Sequence, residues 1–220
     1  MYNGTTTGGA GGTTVTVTNG TDFLTQIAIA GPRVIQVQGV ISIGTANVTA
    51  NKTIIGLGTN ATLFGKLNIS DGSGASNVIV RYLRITGPID DAISIWNAPH
   101  VWIDHCTLYD SADGLCDMNH GTQPLYATVS WCKFHYVNQP QHRFTMIADG
   151  TYNSTTGVTN LGYYTLHHNW WSTKCDQRMA ASSYGRVHYY NNYFSATNNS
   201  YASNARNGTE INSENNYYSA

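Results

Sequence analysis

Short runs of alternating apolar and polar residues recur along this chain at nearly constant intervals. Ile54, Ile79, Ile103 and Val129 lie at the centres of four such runs, and the intervals between them are 25, 24 and 26 positions. One interval then lengthens to 37 positions, and two intervals of 22 and 23 complete the series. Alternation with period two over a few residues predicts a strand with one buried face. The pattern therefore predicts many short strands.

Each run ends in the same way, with polar turn residues followed by a large apolar residue. Examples are His105-Cys106-Thr107-Leu108, His168-Asn169-Trp170-Trp171 and Asn191-Asn192-Tyr193-Phe194. A repeat of about 20–50 residues indicates a solenoid or a propeller, and one propeller blade needs about 45 residues. A unit of about 24 residues instead fits one coil of a parallel β-helix, in which each coil pairs with its neighbours. We expect the turn asparagines to adopt left-handed backbone geometry and to bond along the stack.

Three parts of the chain depart from the repeat. Residues 1–12 are rich in Gly and Thr and are expected to be loosely ordered. Residues 23–30 (FLTQIAIA) predict a short helix that covers the apolar end of the solenoid. The long interval contains polar stretches at 138–141 and 148–157, which predict loops. Because no linker is visible, we predict one all-β domain over residues 1–220, a parallel β-helix.

The composition excludes several classes of protein. Gly, Asn and Thr occur 22, 22 and 27 times, whereas Glu and Lys occur only two and four times, which excludes a helical bundle or coiled coil. A net charge of −1 argues against a nucleic-acid binder. No apolar run reaches the ~18 residues of a membrane span. The low charge and high Thr, Asn, Gly and Tyr content are typical of secreted β proteins, so we expect an extracellular protein.

The four cysteines are too few for a disulfide scaffold in a chain of this length. Cys106 and Cys132 occupy matching places in two strand segments. We therefore expect them to behave as small buried apolar side chains, stacked on each other.

Half of the acidic residues lie close together in the middle of the chain. They are Asp90, Asp91, Asp104, Asp110, Asp113 and Asp117. Asp91 and Asp113 are separated by about one coil, and neighbouring coils stack roughly 4.8 Å apart. Asp91, Asp113 and Asp117 are therefore expected to converge on one outer face, where they repel each other unless a cation is present. Oxygen ligands without His or Cys favour Ca²⁺ over zinc, and the alternative is that these carboxylates lie in solvated turns.

Basic residues are scarce, so each one is informative. Arg143 lies in the long interval, Arg178 follows Cys175-Asp176-Gln177, and Arg186 follows Gly185. Arginines beside an acidic metal site would suit a polyanionic substrate that carries carboxylates. The alternative is that these arginines are ordinary solvated surface residues.

Several segments, in this order along the chain, resemble polysaccharide lyase family 1, the pectate lyases. They are Val101–Cys106 (VWIDHC), Asp113–Asp117 (DGLCD), Val129–Trp131 (VSW), His167–Asn169 (HHN), Arg178 and Gly185–Tyr193 (GRVHYYNNY). The resemblance extends from about Ile35 to the C-terminus. It implies a right-handed parallel β-helix, in agreement with the repeat, and Ca²⁺-dependent β-elimination of polygalacturonate.

By position, the resemblance implies that Asp91, Asp113 and Asp117 bind Ca²⁺. It implies that Arg178 is the base that removes the C5 proton of a uronate. Arg143 falls near a lysine that binds substrate in the family. An arginine side chain normally stays protonated to about pH 12.5. Residue chemistry alone therefore leaves a second role open for Arg178, the stabilisation of charge while hydroxide or water takes the proton.

The chain departs from the family pattern after the catalytic arginine, which is commonly Arg-x-Pro-Arg-x-Arg. Ala180 stands at the proline, and Ser183 stands at the second supporting arginine. Arg186, which we include among the predicted substrate-binding residues, and Arg206 are the candidates to replace that charge.

Three other functions stay open on the sequence. A pectin lyase would act on methyl-esterified polymer, but it would lack the calcium aspartates. A β-helix glycoside hydrolase would use two of the clustered carboxylates. A β-solenoid could also bind carbohydrate with little or no activity. We expect a monomer whose partner is polygalacturonate or pectin, with no nucleic-acid or membrane partner.

Overall fold

The chain winds into a parallel β-helix in a computed structural model. The structure describes residues 5–87, 90–119, 121, 124–138 and 142–219, without the side chains of residues 142, 143 and 158. The elements begin with β1 (Thr13–Val17), α1 (Gly20–Ala28), β2 (Arg33–Asn47), β3 (Lys52–Ser70), a 3₁₀ turn (Asp71–Ser73), β4 (Val78–Arg81), β5 (Arg84–Thr86), β6 (Ile93–Trp96), β7 (Val101–Asp104), β8 (Thr107–Tyr109) and β9 (Cys116–Asn119). They continue with β10 (Tyr126–Ser130), β11 (Lys133–His135), β12 (His142–Phe144), β13 (Met146–Ala148), β14 (Thr151–Asn153), β15 (Val158–Asn160), β16 (Gly162–His167), β17 (Trp170–Trp171), β18 (Cys175–Gln177), β19 (Ala181–Ser183), β20 (Gly185–Tyr190), β21 (Tyr193–Phe194), β22 (Asn204–Arg206), β23 (Glu210–Glu214) and β24 (Tyr217–Tyr218).

Three parallel sheets form the sides of the solenoid. Sheet A contains β1, β2, β3, β4, β7, β10, β16, β20 and β23 in that order. Sheet B contains β2, β3, β5, β8, β11, β17, β21 and β24. Sheet C contains β2, β3, β6, β9, β13, β19 and β22. The long strands β2 and β3 each pass through all three sheets, and the predicted parallel β-helix is confirmed.

The corner between sheets A and B repeats the same backbone conformation in successive coils. Its first residue has a left-handed φ of 51–56° and is Tyr82, His105, Trp131, His168, Asn191 or Asn215. Asparagine occupies this position in the last coils, and Asn51, Asn77 and Asn97 have a left-handed φ at other turns, as expected for the turn asparagines. The rings of His105, Trp131 and His168 stack on one another at this corner, and the ring of Tyr82 is tilted against His105.

The next residue at this corner points into the core and links the coils. Asn169, Asn192 and Asn216 form an asparagine ladder. The amide oxygen of Asn169 accepts from the backbone N–H of Cys132 at 3.0 Å, and that of Asn192 accepts from Asn169 N–H at 3.0 Å. Cys106 and Cys132 hold the equivalent positions in earlier coils, where Cys132 Sγ lies 3.4 Å from Cys106 N. All four cysteines are buried and free, so the expected apolar, stacked role of these two is confirmed.

The predicted helix is present but begins earlier than expected, as α1 covers Gly20–Ala28 rather than residues 23–30. Asn19 explains the earlier start, because its side chain accepts the backbone N–H of Asp22 at 2.9 Å as an N-cap. Phe23 and Ile27 are buried against the first coil. In the described part of the chain, no helix is long and apolar enough to cross a membrane.

Two further expectations need correction. The composition predicts loose order for residues 1–12, but residues 5–12 lie on sheet A, where Thr7 N–H donates to Asn77 Oδ1 at 2.7 Å. The polar stretch 148–157 predicts a loop, but β14 and β15 form an antiparallel hairpin there, with Thr151 opposite Asn160. The other predicted loop, 138–141, falls outside the described residues except at Asn138.

Candidate active site

The three predicted aspartates lie at one turn just before β9, where Asp113 precedes Gly114 in the sequence and Asp91 and Asp117 approach that glycine. Gly114 N–H donates to Asp91 Oδ1 at 2.9 Å. A Cβ atom on Gly114 would lie 2.9 Å from Asp91 Oδ1 and 2.8 Å from Asp117 Oδ1. A side chain at position 114 would therefore displace these two carboxylates, which approach the turn from successive coils.

A fourth carboxylate joins the group. Oxygen atoms of Asp90, Asp91 and Asp113 all lie within 4.8 Å of one another. Asp91 is buried, whereas Asp90 and Asp113 are open to solvent. Lys66 forms an ion pair with Asp90, and its Nζ atom lies 3.9 Å from Asp91 Oδ2. We refer to Asp90, Asp91, Asp113 and Asp117 as the carboxylate cluster.

The cluster carries more negative charge than its surroundings compensate. Burial raises the pKa of Asp117 to about 8, and repulsion from Asp91 and Asp113 adds to the increase. The N–H of Ile147 and the charge of Arg178 oppose that shift. The pKa of Asp91 is also raised, first by burial and then by Asp90, against the hydrogen bonds from Ser94 and Gly114 and the charge of Lys66. A cation bound among these groups would relieve both effects.

The donor set fits calcium. The cluster offers carboxylate oxygens from two coils, partly buried and partly open to solvent, with neither histidine nor cysteine among the grouped ligands of the described residues. Ca²⁺ takes six to eight oxygen ligands in flexible geometry, and it accepts water or substrate oxygens at open positions. The exposed side of the cluster leaves such positions available.

Arg178 lies beside the cluster on a half-buried aromatic platform. It precedes β19 with a left-handed φ of 58°, and its carbonyl accepts Met146 N–H at 2.7 Å. Its guanidinium carbon lies 3.7 Å from the centre of the Phe144 ring. Its Nε atom is buried and has no hydrogen-bond partner among the described residues. The charge of Arg178 lowers the pKa of Asp117, which places the guanidinium within electrostatic range of the cluster.

Tyr136 supports this platform from below. Its hydroxyl donates to the carbonyl of Phe144 at 2.8 Å. Burial raises the pKa of Tyr136 far above its usual range, so the hydroxyl stays a donor at any physiological pH. The ring beneath Arg178 is thereby tied to the core.

A second arginine continues the same face of sheet C. Ser183 pairs with Arg206 of the next coil, so both side chains project from the same side of the sheet. Asp149 accepts the backbone N–H of Ser183. Burial raises the pKa of Asp149, and the charges of Arg206 and, to a smaller extent, Arg178 oppose this increase. Arg206 is therefore the candidate that lies near the missing arginine at Ser183.

The other two predicted substrate residues are placed differently. Arg143 belongs to β12, and its side chain lies outside the described part of the structure. Arg186 belongs to β20 in sheet A, where its Nη2 atom donates to Glu210 Oε1 at 2.9 Å. The structure therefore brings together Asp91, Asp113, Asp117 and Arg178, but it separates Arg186 from them.

Sequence reasoning did not assign Lys66, Asp90 or Phe144 to this site. Lys66 and Asp90 are 24 positions apart, the spacing of one coil, so the repeat contained a usable signal. The repeat offered no comparable signal for Phe144, because this residue lies in the long interval between Val129 and Leu166, where the spacing of the repeat is lost.

The sequence profile of the family described as Pectate lyase matches residues 1–220. The chain belongs to the pectate lyase family. A pectate trisaccharide-lyase from Bacillus licheniformis is 33% identical over an alignment of 239 positions, which covers 98% of this chain and 65% of that protein. A pectate trisaccharide-lyase from Thermotoga maritima is 31% identical over 204 residues, covering 86% of this chain and 53% of the relative.

Structural comparison agrees with family membership. The crystal structure of a pectate lyase from a Bacillus species, in complex with trigalacturonate, has a TM-score of 0.77 and 29% identity to this chain. The match covers 99% of this chain and 73% of that one. This pectate lyase family member spans between half and two-thirds of the length of the two curated relatives. The predicted family and fold are confirmed, and the roles of the individual site residues stay predictions.

Proposed function

We propose that this chain cleaves polygalacturonate by Ca²⁺-dependent β-elimination, with Arg178 as the base. The observation that carries the proposal is the juxtaposition of an undercompensated carboxylate cluster with the Arg178 guanidinium. Membership in the pectate lyase family and the likeness to a structure that contains trigalacturonate support the choice of substrate.

Asp91, Asp113 and Asp117 would hold Ca²⁺, with Asp90 at the open edge. When bound, the ion supplies positive charge that withdraws electrons from a uronate carboxylate and makes the adjacent C5 proton more acidic. Lys66 forms an ion pair with Asp90 and so reduces the repulsion among the four carboxylates. The open side of the cluster would leave room for a substrate carboxylate beside these residues.

Arg178 acts on the C5 proton. A neutral guanidine nitrogen takes the proton, the C5–H electron pair forms the C4–C5 double bond, and the C4–oxygen bond breaks. The leaving oxygen gains a proton from water. Contact with Phe144 and the carbonyl bond to Met146 N–H hold the guanidine in position for this step.

Substrate carboxylates need further positive charge along the sheet. Arg206 lies on the same face of sheet C, one coil beyond Ser183. We propose that Arg206 binds a neighbouring uronate by charge-assisted hydrogen bonds. Arg143 stays a predicted substrate ligand on the basis of the resemblance.

The test measures two products of polygalacturonate cleavage. Elimination yields an unsaturated uronate that absorbs ultraviolet light, whereas hydrolysis yields new reducing ends without that absorbance. We expect both signals with Ca²⁺ and neither with EDTA. Asp117→Asn should need more Ca²⁺ for half-maximal activity, and Asp22→Asn, at the distant helix α1, is the matched control. Full activity in EDTA would contradict the metal role, and reducing ends without absorbance would indicate a hydrolase.

The same assay separates pectate from pectin cleavage. Methyl esterification removes charge-assisted contacts to the carboxylate, and each of these is worth ~1.5–3 kcal/mol, or roughly 10- to 150-fold. Highly esterified pectin should therefore react more slowly than polygalacturonate by about that factor. Equal initial rates at saturating Ca²⁺ would favour the pectin-lyase alternative.

We also propose that the protein works outside the cell as a monomer. The composition supports secretion, and a polymer as large as polygalacturonate is accessible to an enzyme outside the cell. Light scattering should give a mass near 24.0 kDa for this chain. An immunoblot of the culture medium of the source cells tests secretion, and retention of the protein within the cells would contradict it.

A further inference from the structure

A second groove lies on the outer face of sheet A, away from the carboxylate cluster on sheet C. Its volume is about 480 Å³. The lining residues come from β7, β10, β16, β20, β23 and the adjoining turn and N-terminal segment, and they include Tyr126, Tyr163, Thr128, Thr165, Arg186 and Glu210. Arg186, which the sequence suggested for the substrate site, therefore belongs to this groove.

The register of sheet A explains why a groove forms. Tyr126 pairs with Tyr163, and their rings stack with centroids 5.2 Å apart. Two positions along the same strands, Thr128 pairs with Thr165. A tall aromatic row thus runs beside a low row of threonines, and His100 extends the aromatic row by stacking on Tyr126 at 5.5 Å. The aromatic row forms a wall, and the threonines form a floor of hydroxyl groups.

The charges in the groove balance. Arg186 and Glu210 form an ion pair with side chains 46% and 66% exposed. Two residues further along β20, His188 Nε2 lies 3.7 Å from Glu214 Oε1. The groove thus contains one cation and one anion that neutralise each other, with a second carboxylate nearby. Such a lining disfavours a polyanion, in contrast to the excess of arginine and the metal site expected on sheet C.

The chain itself shows what this face binds. Residues 7–9 lie over the earlier coils of sheet A, where Thr7 N–H and Gly8 N–H donate to Asn77 Oδ1 at 2.7 and 2.9 Å. Gly9 N–H donates to Thr53 Oγ1 at 2.9 Å. Asn77 and Thr53 belong to the same two rows that form the wall and the floor of the groove. These rows therefore bind a narrow polar chain through side-chain oxygens, and Thr6 marks where the groove begins.

We propose that this groove binds a neutral oligosaccharide, separately from the catalytic substrate. Sugar hydroxyls would bond to the threonine, Asn212 and Arg186–Glu210 groups, and sugar C–H faces would pack against the edges of the tyrosine wall. Because the groove and the carboxylate cluster lie on different sheets, both can be occupied at once. The site would hold the enzyme on neutral polysaccharide near its substrate.

The test is isothermal titration in EDTA, which removes metal from the carboxylate cluster. The probes are hexasaccharides of β-1,4-linked glucose, xylose and mannose, together with hexagalacturonate. Thr165→Trp fills the floor, Tyr163→Ala removes part of the wall, and Tyr193→Ala, an exposed stacked tyrosine of sheet B, is the control. Circular dichroism checks that each variant is folded.

At least one neutral hexasaccharide should bind at millimolar concentration or below and more tightly than hexagalacturonate. Tyr163→Ala and Thr165→Trp should each weaken it by at least about tenfold, the equivalent of 1.4 kcal/mol, while Tyr193→Ala should not. Cleavage of trigalacturonate with Ca²⁺ should be unchanged in the groove variants, so a failure of the catalytic proposal would be seen separately. Absence of neutral binding, binding unaffected by both groove variants, or tighter binding of hexagalacturonate would each overturn the proposal.

Discussion

Asn192 offers a quantitative test of how the coils are held together. Its side chain is 1% exposed. Its Oδ1 atom accepts from Asn169 N–H at 3.0 Å, and its Nδ2 atom donates to Leu166 O at 2.9 Å and to Asn216 Oδ1 at 2.9 Å. Asn192→Ala would remove the acceptor of the Asn169 N–H and a donor to the Leu166 carbonyl, which are both buried backbone groups. Each lost bond costs ~1–3 kcal/mol, so the expected loss is about 4 kcal/mol.

For a chain of this size, 1 kcal/mol changes the melting temperature by ~2–4 °C, so Asn192→Ala should lower it by roughly 8–16 °C. Far-ultraviolet circular dichroism measures this directly. Asn191→Ala is the matched control, because Asn191 is exposed and the change affects only its left-handed backbone and a 3.3 Å contact between its Nδ2 atom and His168 Nε2, at a cost of about 1 kcal/mol.

Asn192→Cys gives an intermediate case. Cys132 holds the equivalent place in an earlier coil, and its sulfur lies 3.4 Å from Cys106 N. A thiol is a weak acceptor, so this variant should recover only part of the loss. If Asn192→Ala melts no lower than Asn191→Ala, the ladder bonds are not what holds these coils together.

Three further predictions concern the candidate active site. Arg178→Lys keeps the charge but not the geometry, so kcat should fall by at least about 100-fold with an unchanged circular dichroism spectrum; near-normal turnover would place the base elsewhere. In EDTA the native protein holds the Asp117 proton more tightly than the unfolded chain, because the pKa is raised from 3.8 to about 8. That stabilisation is complete below pH 3.8 and is lost as pH rises through about 8, so the melting temperature should fall over this range. In Asp117→Asn the melting temperature should fall less over the same range. Identical plots of melting temperature against pH for the two proteins would contradict the burial and repulsion described for Asp117. Arg206→Ala should raise KM for polygalacturonate by about tenfold, the value of one charge-assisted contact, whereas Arg186→Ala should not; equal effects of the two would disprove the separation of the two faces.

The repeat made most of the fold predictable. The nearly constant spacing of the apolar runs defined the coils, and the inward alternation of residues such as Val78, Val101 and Ala127 defined the buried face. The same spacing predicted that Asp91 and Asp113 would meet, because residues one coil apart must stack. It did not predict the exact start of α1, which depends on the N-cap at Asn19.

Distance along the sequence was a poor guide at the corners of the solenoid. Arg178 and Arg186 are close neighbours in the sequence, but Tyr184 turns the chain with a left-handed φ of 55° between β19 and β20. Arg186 consequently faces outward from sheet A, whereas Arg206, much farther from Arg178 along the chain, returns to sheet C one coil later. Where the interval between Val129 and Leu166 lengthens, periodicity gives no register, and the contact between Arg178 and Phe144 could not be predicted.

The four buried thiols are natural probes of how the solenoid unfolds. Cys106 and Cys116 lie in one coil, Cys132 lies in the next coil, and Cys175 lies in the coil after that. Burial raises the pKa of Cys175 to about 12 and those of Cys116 and Cys132 well above the usual value, which suppresses the reactive thiolate in the intact fold. An alkylating reagent can then mark a cysteine only when its own stretch of the stack opens. The order in which the four become labelled would show whether the solenoid frays from one end or separates in its middle.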